Sequence, residues 1–330
     1  MACRKQTPGS RPKPPEPPAD EPLAMNVMNT PDIYTDHFGL SQRPFSLVPD
    51  PEFLFWSRAH RAAWAMLEYG LMSHAPITLL TGEIGAGKTT LLHHFLAGLE
   101  DDVTVGLVSN ARPGTRDMLR WVLPALSVQL DRDADEGARL EAFQDFLIAE
   151  YGAGRRVLLV IDEAQNLDRA ALEDLRMLTN INANKDELLQ IFLVGQPELR
   201  DIVRQPDLVQ FAQRVAANYH IPAMDRDAVL SYIAHRLRKA GGTPGIFSRQ
   251  AAEAVHHASG GIPRLVNQLC DLAMTYAFAA GQTQVRAATV QQVLEDGAFF
   301  AGGRDPATVT PSHEPAPEPA QAAPPPEASS

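Results

Sequence analysis

The stretch Gly82-Glu83-Ile84-Gly85-Ala86-Gly87-Lys88-Thr89 decides the fold of this 330-residue chain. It fits the pattern G-x-x-x-x-G-K-[ST], in which glycines let the backbone curl so that its N–H groups point inward. An apolar run, Ile77–Leu80, comes before the stretch, and a helical pattern, Thr89–Leu99, follows it. A strand, a glycine-rich loop and a helix in this order predict a phosphate-binding loop, because the loop amides and the helix N-terminus attract anions.

The residue types in the loop suit a nucleoside triphosphate bound together with Mg²⁺. The Lys88 ammonium would reach the β- and γ-phosphates, and the Thr89 hydroxyl would coordinate the metal ion. We therefore predict that ATP is bound by Gly82, Glu83, Ile84, Gly85, Ala86, Gly87, Lys88, Thr89 and Thr90. The alternative is a glycine-rich turn that carries a surface lysine. The loop by itself predicts binding and leaves hydrolysis open.

The second apolar run is Val103–Val108, and two carboxylates follow the third. Val157–Ile161 is five apolar residues long, which favours a strand buried on both faces, and Asp162 and Glu163 come directly after it. Ligands of such sheets bind at the carboxyl ends of the strands. We expect Asp162 to hold the metal and Glu163 to orient or deprotonate the attacking water. The alternative is that the pair only caps the next helix.

A polar amide follows a further apolar run. Ile191–Val194 is predicted to be a fourth strand, and Gln196 comes after it between Gly195 and Pro197. The amide of Gln196 could donate a hydrogen bond to the water or to the γ-phosphate. The alternative is that Gln196 caps the turn before Pro197.

The order of apolar runs and helical patterns predicts two folded units. Strands alternate with helices up to about residue 223, which indicates an α/β unit, residues 31–223, with a parallel sheet covered by helices on both faces. Its predicted helices include Met118–Leu130 and Leu140–Tyr151. Residues 224–301 read as a small all-helical lid with helices at Asp227–Ala240, Ser248–Ala258, Ile262–Ala280 and Ala287–Phe300. The aromatic residues between Tyr34 and Gly70 are either core or, in part, a cap over a bound base.

Composition sets the remaining limits. Fifteen of the 27 prolines lie in residues 1–24 and 302–330, so we expect residues 1–30 and 302–330 to be disordered tails. Cys3 and Cys270 build no disulfide framework, which favours a reducing compartment. Neither a secretory signal nor a run of about 18–20 apolar residues is visible. The sequence therefore predicts a soluble, cytoplasmic protein. The net charge of −11 argues against a broad nucleic-acid footprint and leaves room for a local basic patch.

Seven motifs of the chain together resemble those of a known family. They are His37–Leu40 (HFGL) with Pro44-Phe45, Pro49–Phe55 (PDPEFLF), Leu80–Thr90 (LTGEIGAGKTT), Leu159–Leu167 (LVIDEAQNL), Gly195–Leu199 (GQPEL), Gln213–Val215 (QRV) and Gly260–Asn267 (GGIPRLVN). With these motifs, residues 34–294 resemble the AAA+ ATPases of the ExeA/GspA type from the general secretion pathway. The resemblance implies a P-loop AAA+ core, ATP and Mg²⁺ as ligands, and Mg²⁺-dependent ATP hydrolysis.

The resemblance also implies roles for two arginines. Arg214 stands at the position of an arginine finger, which reaches the γ-phosphate of a neighbouring subunit. Arg264 stands at the position of the sensor-2 arginine, which contacts phosphate in its own subunit. Arginine suits both roles because it stays charged and presents a fork of donors to phosphate oxygens. A finger in trans implies that the chain assembles with copies of itself. The alternative for each arginine is a surface salt bridge.

One departure from the family bears on the pathway. Full-length secretion members of this type continue into a transmembrane helix and a periplasmic peptidoglycan-binding domain, whereas this chain ends in a proline-rich segment. We therefore expect a relative of the soluble ATPases that accompany exosortase and exopolysaccharide systems. Such a protein would be cytoplasmic, or peripheral to the inner membrane through a partner.

Three functions remain open at this point. The first is an ATPase that supports secretion, exopolysaccharide export or envelope assembly, with a component of that system as its partner. The second is a helper ATPase for transposition or another DNA-associated process. The third is a nucleotide-gated interaction protein with little turnover. The acidic balance favours the first, and the intact Asp162–Glu163 pair argues against the third.

Overall fold

A computed structural model describes residues 33–48, 53–109, 117–131, 133–183 and 186–300. The predicted proline-rich tails, residues 1–30 and 302–330, lie outside this part of the chain. Within the described residues, no helix combines the length and the apolar content needed to cross a bilayer.

Five parallel strands form the main sheet: β1 (Ile77–Gly82), β2 (Val103–Ser109), β3 (Arg156–Asp162), β6 (Leu189–Gly195) and β7 (Val215–Ile221). Their order across the sheet is β2-β3-β6-β1-β7. A separate antiparallel pair consists of β4 (Asn182–Ala183) and β5 (Asp186–Glu187). The strand that leads into the glycine-rich loop, β1, lies between β6 and β7. The loop therefore lies beside the ends of two other strands, where ligands of parallel sheets bind.

Helices cover both faces of the sheet and form the second part of the chain. Those up to residue 212 are α1 (Thr35–Phe38), α2 (Arg58–Met72), α3 (Lys88–Ala97), α4 (Leu119–Ala125), α5 (Glu136–Gly152), α6 (Arg169–Leu178), α7 (Glu198–Val203) and α8 (Val209–Ala212). The lid contains α9 (Arg226–Lys239), α10 (Arg249–Ser259), α11 (Pro263–Ala279) and α12 (Ala287–Glu295). The predicted α/β fold class, a parallel sheet covered by helices on both faces with a small all-helical lid, is confirmed.

The apolar run of β3 explains how the sheet is covered on both sides. Successive side chains of a strand point to opposite faces. Leu159 and Ile161 pack into one core with α5 and α6, whereas Leu158 and Val160 pack into the other core with α2 and α3. All four side chains are fully buried. A central strand of a parallel sheet needs apolar residues at every position for this reason.

The segment before α2 packs against the lid. Tyr34, Phe45 and Phe53 are buried in the same apolar cluster as the lid helices. The Arg236 guanidinium of α9 donates a hydrogen bond of 2.5 Å to the Pro44 carbonyl. We predicted that this segment belongs to the α/β unit. Its packing against the lid could not be predicted from the periodicity of the sequence. The division of the chain at residue 223 stays a prediction.

Two predicted helices end earlier than expected. The helix predicted over Met118–Leu130 ends at Ala125, because Ser127 adopts a left-handed φ of 60° and the Val128 N–H bonds back to the Leu123 carbonyl. The helix predicted over Ala287–Phe300 ends at Glu295. There Gly297 has a φ of 66° and its N–H bonds back to Leu294, which closes the last turn.

Strand β7 was not predicted from the sequence. It contains Asn218 and His220, so it shows no continuous apolar run. Within the described residues, the strand lies at the edge of the sheet and pairs with β1 alone. An edge strand is partly open to solvent and tolerates polar side chains, which hides it from a search for buried runs.

Candidate functional site

The glycine-rich loop joins β1 to α3 through a backbone path that needs glycine. Gly85 and Gly87 have φ values of 80° and 89°, in the left-handed region that L-residues with side chains rarely adopt. A Cβ at Gly82 would lie 2.9 Å from the carbonyl oxygen of Ile221 on β7. The three glycines therefore set the turn of the loop and its distance from the neighbouring strand.

The loop presents unpaired backbone donors at the start of α3. Within the described part of the chain, the N–H groups of Gly85, Gly87, Lys88 and Thr89 donate no hydrogen bond. Such donors at the N-terminus of a ten-residue helix make a binding site for an anion, because the helix dipole adds to their positive potential.

Lys88 lies at the base of the loop. Its ammonium donates hydrogen bonds of 2.7 Å to the Gly82 carbonyl and 3.0 Å to the Glu83 carbonyl, and the residue is 7% exposed. Burial lowers the pKa of Lys88, although Glu163 and Asp162 nearby favour the charged form. A partly desolvated cation in this position is primed to bind an anionic ligand.

The loop meets the end of β3 through one hydrogen bond. The Thr89 hydroxyl donates to Asp162 Oδ2 at 2.9 Å, and Asp162 Oδ1 accepts from the backbone N–H of Glu163 at 2.9 Å. A hydroxyl and a carboxylate side by side are oxygen donors of the kind that Mg²⁺ prefers. The donor set of Thr89 and Asp162 therefore fits this metal ion.

Two glutamines hold the carboxylate of Glu163. Glu163 adopts a left-handed conformation with φ 55° and ψ 37°. The Gln165 amide donates to Glu163 Oε2 at 2.5 Å, and the Gln196 amide lies 3.4 Å from the same oxygen. The side-chain oxygen Oε1 of Gln165 accepts a hydrogen bond of 3.0 Å from the Gln196 backbone N–H, which connects the end of β6 to the end of β3.

Gln165 is a site residue that the sequence analysis did not single out. It belongs to the quoted LVIDEAQNL motif, two residues after Glu163, but the spacing alone does not show which way its amide points. Gly195 makes room for it, since a Cβ there would lie 2.9 Å from Gln165 Oε1.

Arg264 connects the lid to the loop. It lies in the first turn of α11, and its backbone N–H donates to the Gly85 carbonyl at 3.3 Å. A Cβ at Gly85 would lie 2.5 Å from the Cβ of Arg264, so only glycine allows this approach. Among the described residues the Arg264 guanidinium forms no hydrogen bond or ion pair, and it lines the same cavity as Lys88 and Glu163.

The structure does not bring Arg214 to this site. Arg214 precedes β7 and lies beside the start of β1, because Val215 pairs with Ile77. The loop begins at the other end of β1, five residues on, which is roughly 17 Å away along a strand. Arg214 forms an ion pair of 3.5 Å with Glu187 and donates a hydrogen bond to Asn180.

A cavity of about 390 Å³ extends from the loop to the lid. One end is lined by the loop, Glu163, Gln196 and Arg264. The other end is lined by Phe53 and Phe55 before α2, and by Tyr232, Arg236 and Asn267 of the lid. A volume of this size suits a small organic ligand. The first end carries the Lys88 and Arg264 cations beside Glu163, and the second carries aromatic rings beside the Arg236 cation.

Comparison with known proteins agrees with this geometry. Residues 71–203 match the family model described as AAA domain. Over 253 residues the chain is 40% identical to General secretion pathway protein A of Aeromonas hydrophila. The predicted resemblance is confirmed. The chain carries an AAA domain and is similar to General secretion pathway protein A. The aligned part is 77% of this chain and 46% of that relative, so the chain spans about half of the relative's length.

Solved structures with the same fold as the AAA domain and lid have distant sequences. ORC2 of Aeropyrum pernix, solved as ADPNP–ADP complexes, is 18% identical with a TM-score of 0.56, covering 78% of this chain and 72% of that one. Cdc6p of Pyrobaculum aerophilum is 15% identical with a TM-score of 0.59, covering 77% of this chain and 70% of that one. At these identities the likeness shows the fold alone.

Proposed function

We propose that this chain binds ATP in the cavity between loop and lid and hydrolyses it with Mg²⁺. The observation that carries the proposal is the 2.9 Å hydrogen bond between the Thr89 hydroxyl and the Asp162 carboxylate. It joins a phosphate-binding loop to a strand end that also carries Glu163. A loop that only bound nucleotide would not need a carboxylate pair at this point.

Each side chain has a distinct task in this proposal. The unpaired N–H groups of the loop and the Lys88 ammonium bind the phosphates. Thr89 and Asp162 would hold Mg²⁺, whose charge stabilises the charge that develops on the phosphates. The Glu163 carboxylate accepts a proton from the attacking water or orients it. Gln196 lies beside Glu163 and can donate to the water or to the γ-phosphate.

The aromatic end of the cavity would take the base. Phe53 and Phe55 come from the segment before α2, and Tyr232 comes from α9, so a base bound against this end of the cavity would contact both the segment and the lid. Their rings offer the apolar faces that stacking requires. Closing the lid would then depend on the nucleotide, because Arg264 at the other end of the cavity reaches the phosphates.

The first prediction concerns the wild-type chain. Phosphate release from ATP should proceed with Mg²⁺ and fall to the background rate when EDTA removes the metal ion, because Thr89 and Asp162 cannot neutralise the phosphates themselves. A coupled phosphate assay with added Mg²⁺ as the recovery control measures this. Equal rates with Mg²⁺ and with EDTA would contradict the proposal.

We further propose that Arg214 acts on the site of a neighbouring copy, whereas Arg264 acts on its own. The distance of Arg214 from its own loop supports the first part, and the lining of the cavity by Arg264 supports the second. The Glu187 contact of Arg214 is long at 3.5 Å, so the guanidinium is available to a stronger anion.

The second prediction tests this sharing of sites. Arg214→Ala should lower turnover on the order of 10³-fold, the size found for arginine fingers, with ATP affinity little changed. Lys88→Ala should be inactive because it binds ATP too weakly. Mixing the two inactive variants should restore activity, since Lys88→Ala copies supply Arg214 to intact sites.

Arg249→Ala, at an exposed position on α10, is the matched control. A mixture that stays inactive, with wild-type turnover per subunit constant on dilution, would contradict the proposal.

The process that the ATPase serves is proposed from its relative. The relative's name places that protein in the general secretion pathway, and the match extends over 253 residues, 77% of this chain. We propose that the chain supports secretion, exopolysaccharide export or envelope assembly at the cytoplasmic face of the inner membrane, through a partner of that system. The Glu163→Gln form, which should stay in its ATP state, is the appropriate bait for identifying that partner.

A further inference from the structure

A buried histidine lies beside the phosphate-binding loop and lines the cavity next to it. His60 is in the first turn of α2 and is 6% exposed. Its Nε2 lies 3.1 Å from the carbonyl oxygen of Ala86, and its Nδ1 lies 2.7 Å from the hydroxyl oxygen of Ser57. None of the tasks assigned above to the loop, the carboxylates or the arginines uses this side chain.

The partners of His60 fix its tautomer. A carbonyl oxygen can only accept, so Nε2 must carry a proton and donate it to Ala86. Nδ1 can then accept from the Ser57 hydroxyl. Ser57 is the N-cap of α2, and its oxygen also accepts from the backbone N–H of His60 at 3.1 Å. Burial lowers the pKa of His60, which keeps the ring in the neutral form that this pattern requires.

The hydrogen bond to Ala86 acts on the donor of the next residue. The Ala86 carbonyl and the Gly87 N–H belong to one planar trans peptide, so they point in opposite directions. Holding the carbonyl against His60 therefore turns the Gly87 N–H away from α2. That N–H donates no hydrogen bond within the described part of the chain. A hydrogen bond accepted by the carbonyl also polarises the N–H and makes it a better donor.

The close approach of the loop to His60 leaves no room for a side chain at Gly87, and the loop has a second outside contact. A Cβ at Gly87 would lie 3.0 Å from the Nε2 of His60. The preceding carbonyl, that of Gly85, is held by the backbone N–H of Arg264 on α11. Two successive carbonyls of the loop are thus held from outside the loop, one by α11 of the lid and one by α2.

We propose that His60 is a positioning residue for nucleotide binding, which holds the Ala86–Gly87 peptide so that its N–H faces the bound phosphate. Ser57 keeps His60 in the tautomer that can do this. The inference rests on the proposed nucleotide binding. It adds to that binding a side chain outside the loop on which the affinity depends.

Two substitutions separate the hydrogen bond from simple packing. In His60→Gln the amide nitrogen takes roughly the place of Nε2 and can still donate to Ala86. In His60→Asn the shorter amide takes roughly the place of Nδ1 and can bond only to Ser57. His93→Gln and His93→Asn, at an exposed position on α3, are the matched controls.

The test measures the affinity of the full chain for a fluorescent ADP analogue, together with the melting temperature of each variant. We expect His60→Gln to bind within about threefold of wild type. We expect His60→Asn to bind about five- to tenfold more weakly, the effect of one lost hydrogen bond. Equal affinities for His60→Asn and wild type, or equal losses in both variants, would overturn the inference. A wild-type chain that binds no nucleotide would instead overturn the proposed function.

A spectrum of the wild-type chain supplies a test that needs no variant. A two-bond ¹H–¹⁵N correlation spectrum distinguishes a protonated ring nitrogen from one with a lone pair. We expect Nε2 of His60 to be protonated and Nδ1 to be unprotonated. The opposite tautomer would overturn the inference even if the His60→Asn variant failed to fold.

Discussion

Lys88→Ala should weaken ATP binding by at least about 100-fold. The ammonium is expected to make charge-assisted hydrogen bonds to two phosphates, each worth about 1.5–3 kcal/mol, and about 1.4 kcal/mol corresponds to a factor of ten. Equilibrium titration with a fluorescent ATP analogue measures the loss. The lost interaction is with the triphosphate, so the preference for ATP over adenosine should fall by the same factor.

Two further variants make the Lys88 result interpretable. Lys88→Met keeps most of the aliphatic stem, so a similar loss there shows that the charge is responsible and not the packing of the loop. Lys239→Ala removes an exposed lysine from α9 and should bind ATP as wild type does. Normal ATP affinity in Lys88→Ala would overturn the assignment of the loop.

Glu163→Gln should lower ATP turnover by about 10²- to 10⁴-fold while ATP affinity stays within a few-fold of wild type. The range is that of general base catalysis, and the amide keeps the size of the side chain while it removes the basic oxygen. Single-turnover hydrolysis of bound ATP measures the chemical step without product release. An affinity measurement on the same preparation shows whether binding is retained.

The control for this substitution is Glu68→Gln, at an exposed position on α2. It makes the same chemical change away from the cavity and should turn over ATP at the wild-type rate. An unchanged rate in Glu163→Gln would exclude Glu163 as the base. That result would favour the alternative function, a nucleotide-gated interaction protein with little ATP turnover.

Local sequence patterns predicted the parts of the fold and site that depend on one segment. The loop was predictable because its glycines and lysine act within eight residues. Strand β3 was predictable because burial on both faces requires an unbroken apolar run. Strand β7 was not, because an edge strand carries polar side chains such as Asn218 and His220. The packing of Phe45 on the lid depends on contacts more than 180 residues away in sequence, which no local pattern encodes.

The same distinction holds within the candidate site. Asp162 and Glu163 were predictable from their place at the end of a buried strand. Gln165 and His60 were not, because their roles depend on partners in other segments, the Gln196 backbone and the Ala86 carbonyl. The role of Arg214 came from the resemblance alone. The structure adds that Arg214 is far from its own loop, and whether it serves a neighbouring copy stays a prediction.

The position of ATP in crystals of the Glu163→Gln variant, grown with ATP and Mg²⁺, tests the central claim most directly. We predict intact ATP with its β- and γ-phosphates against the loop and Lys88. We also predict a metal ion at Thr89 and Asp162, and the base at the end of the cavity that Phe53, Phe55 and the lid line. ATP bound at another place on the chain, or a loop that holds no phosphate at saturating ATP, would contradict it.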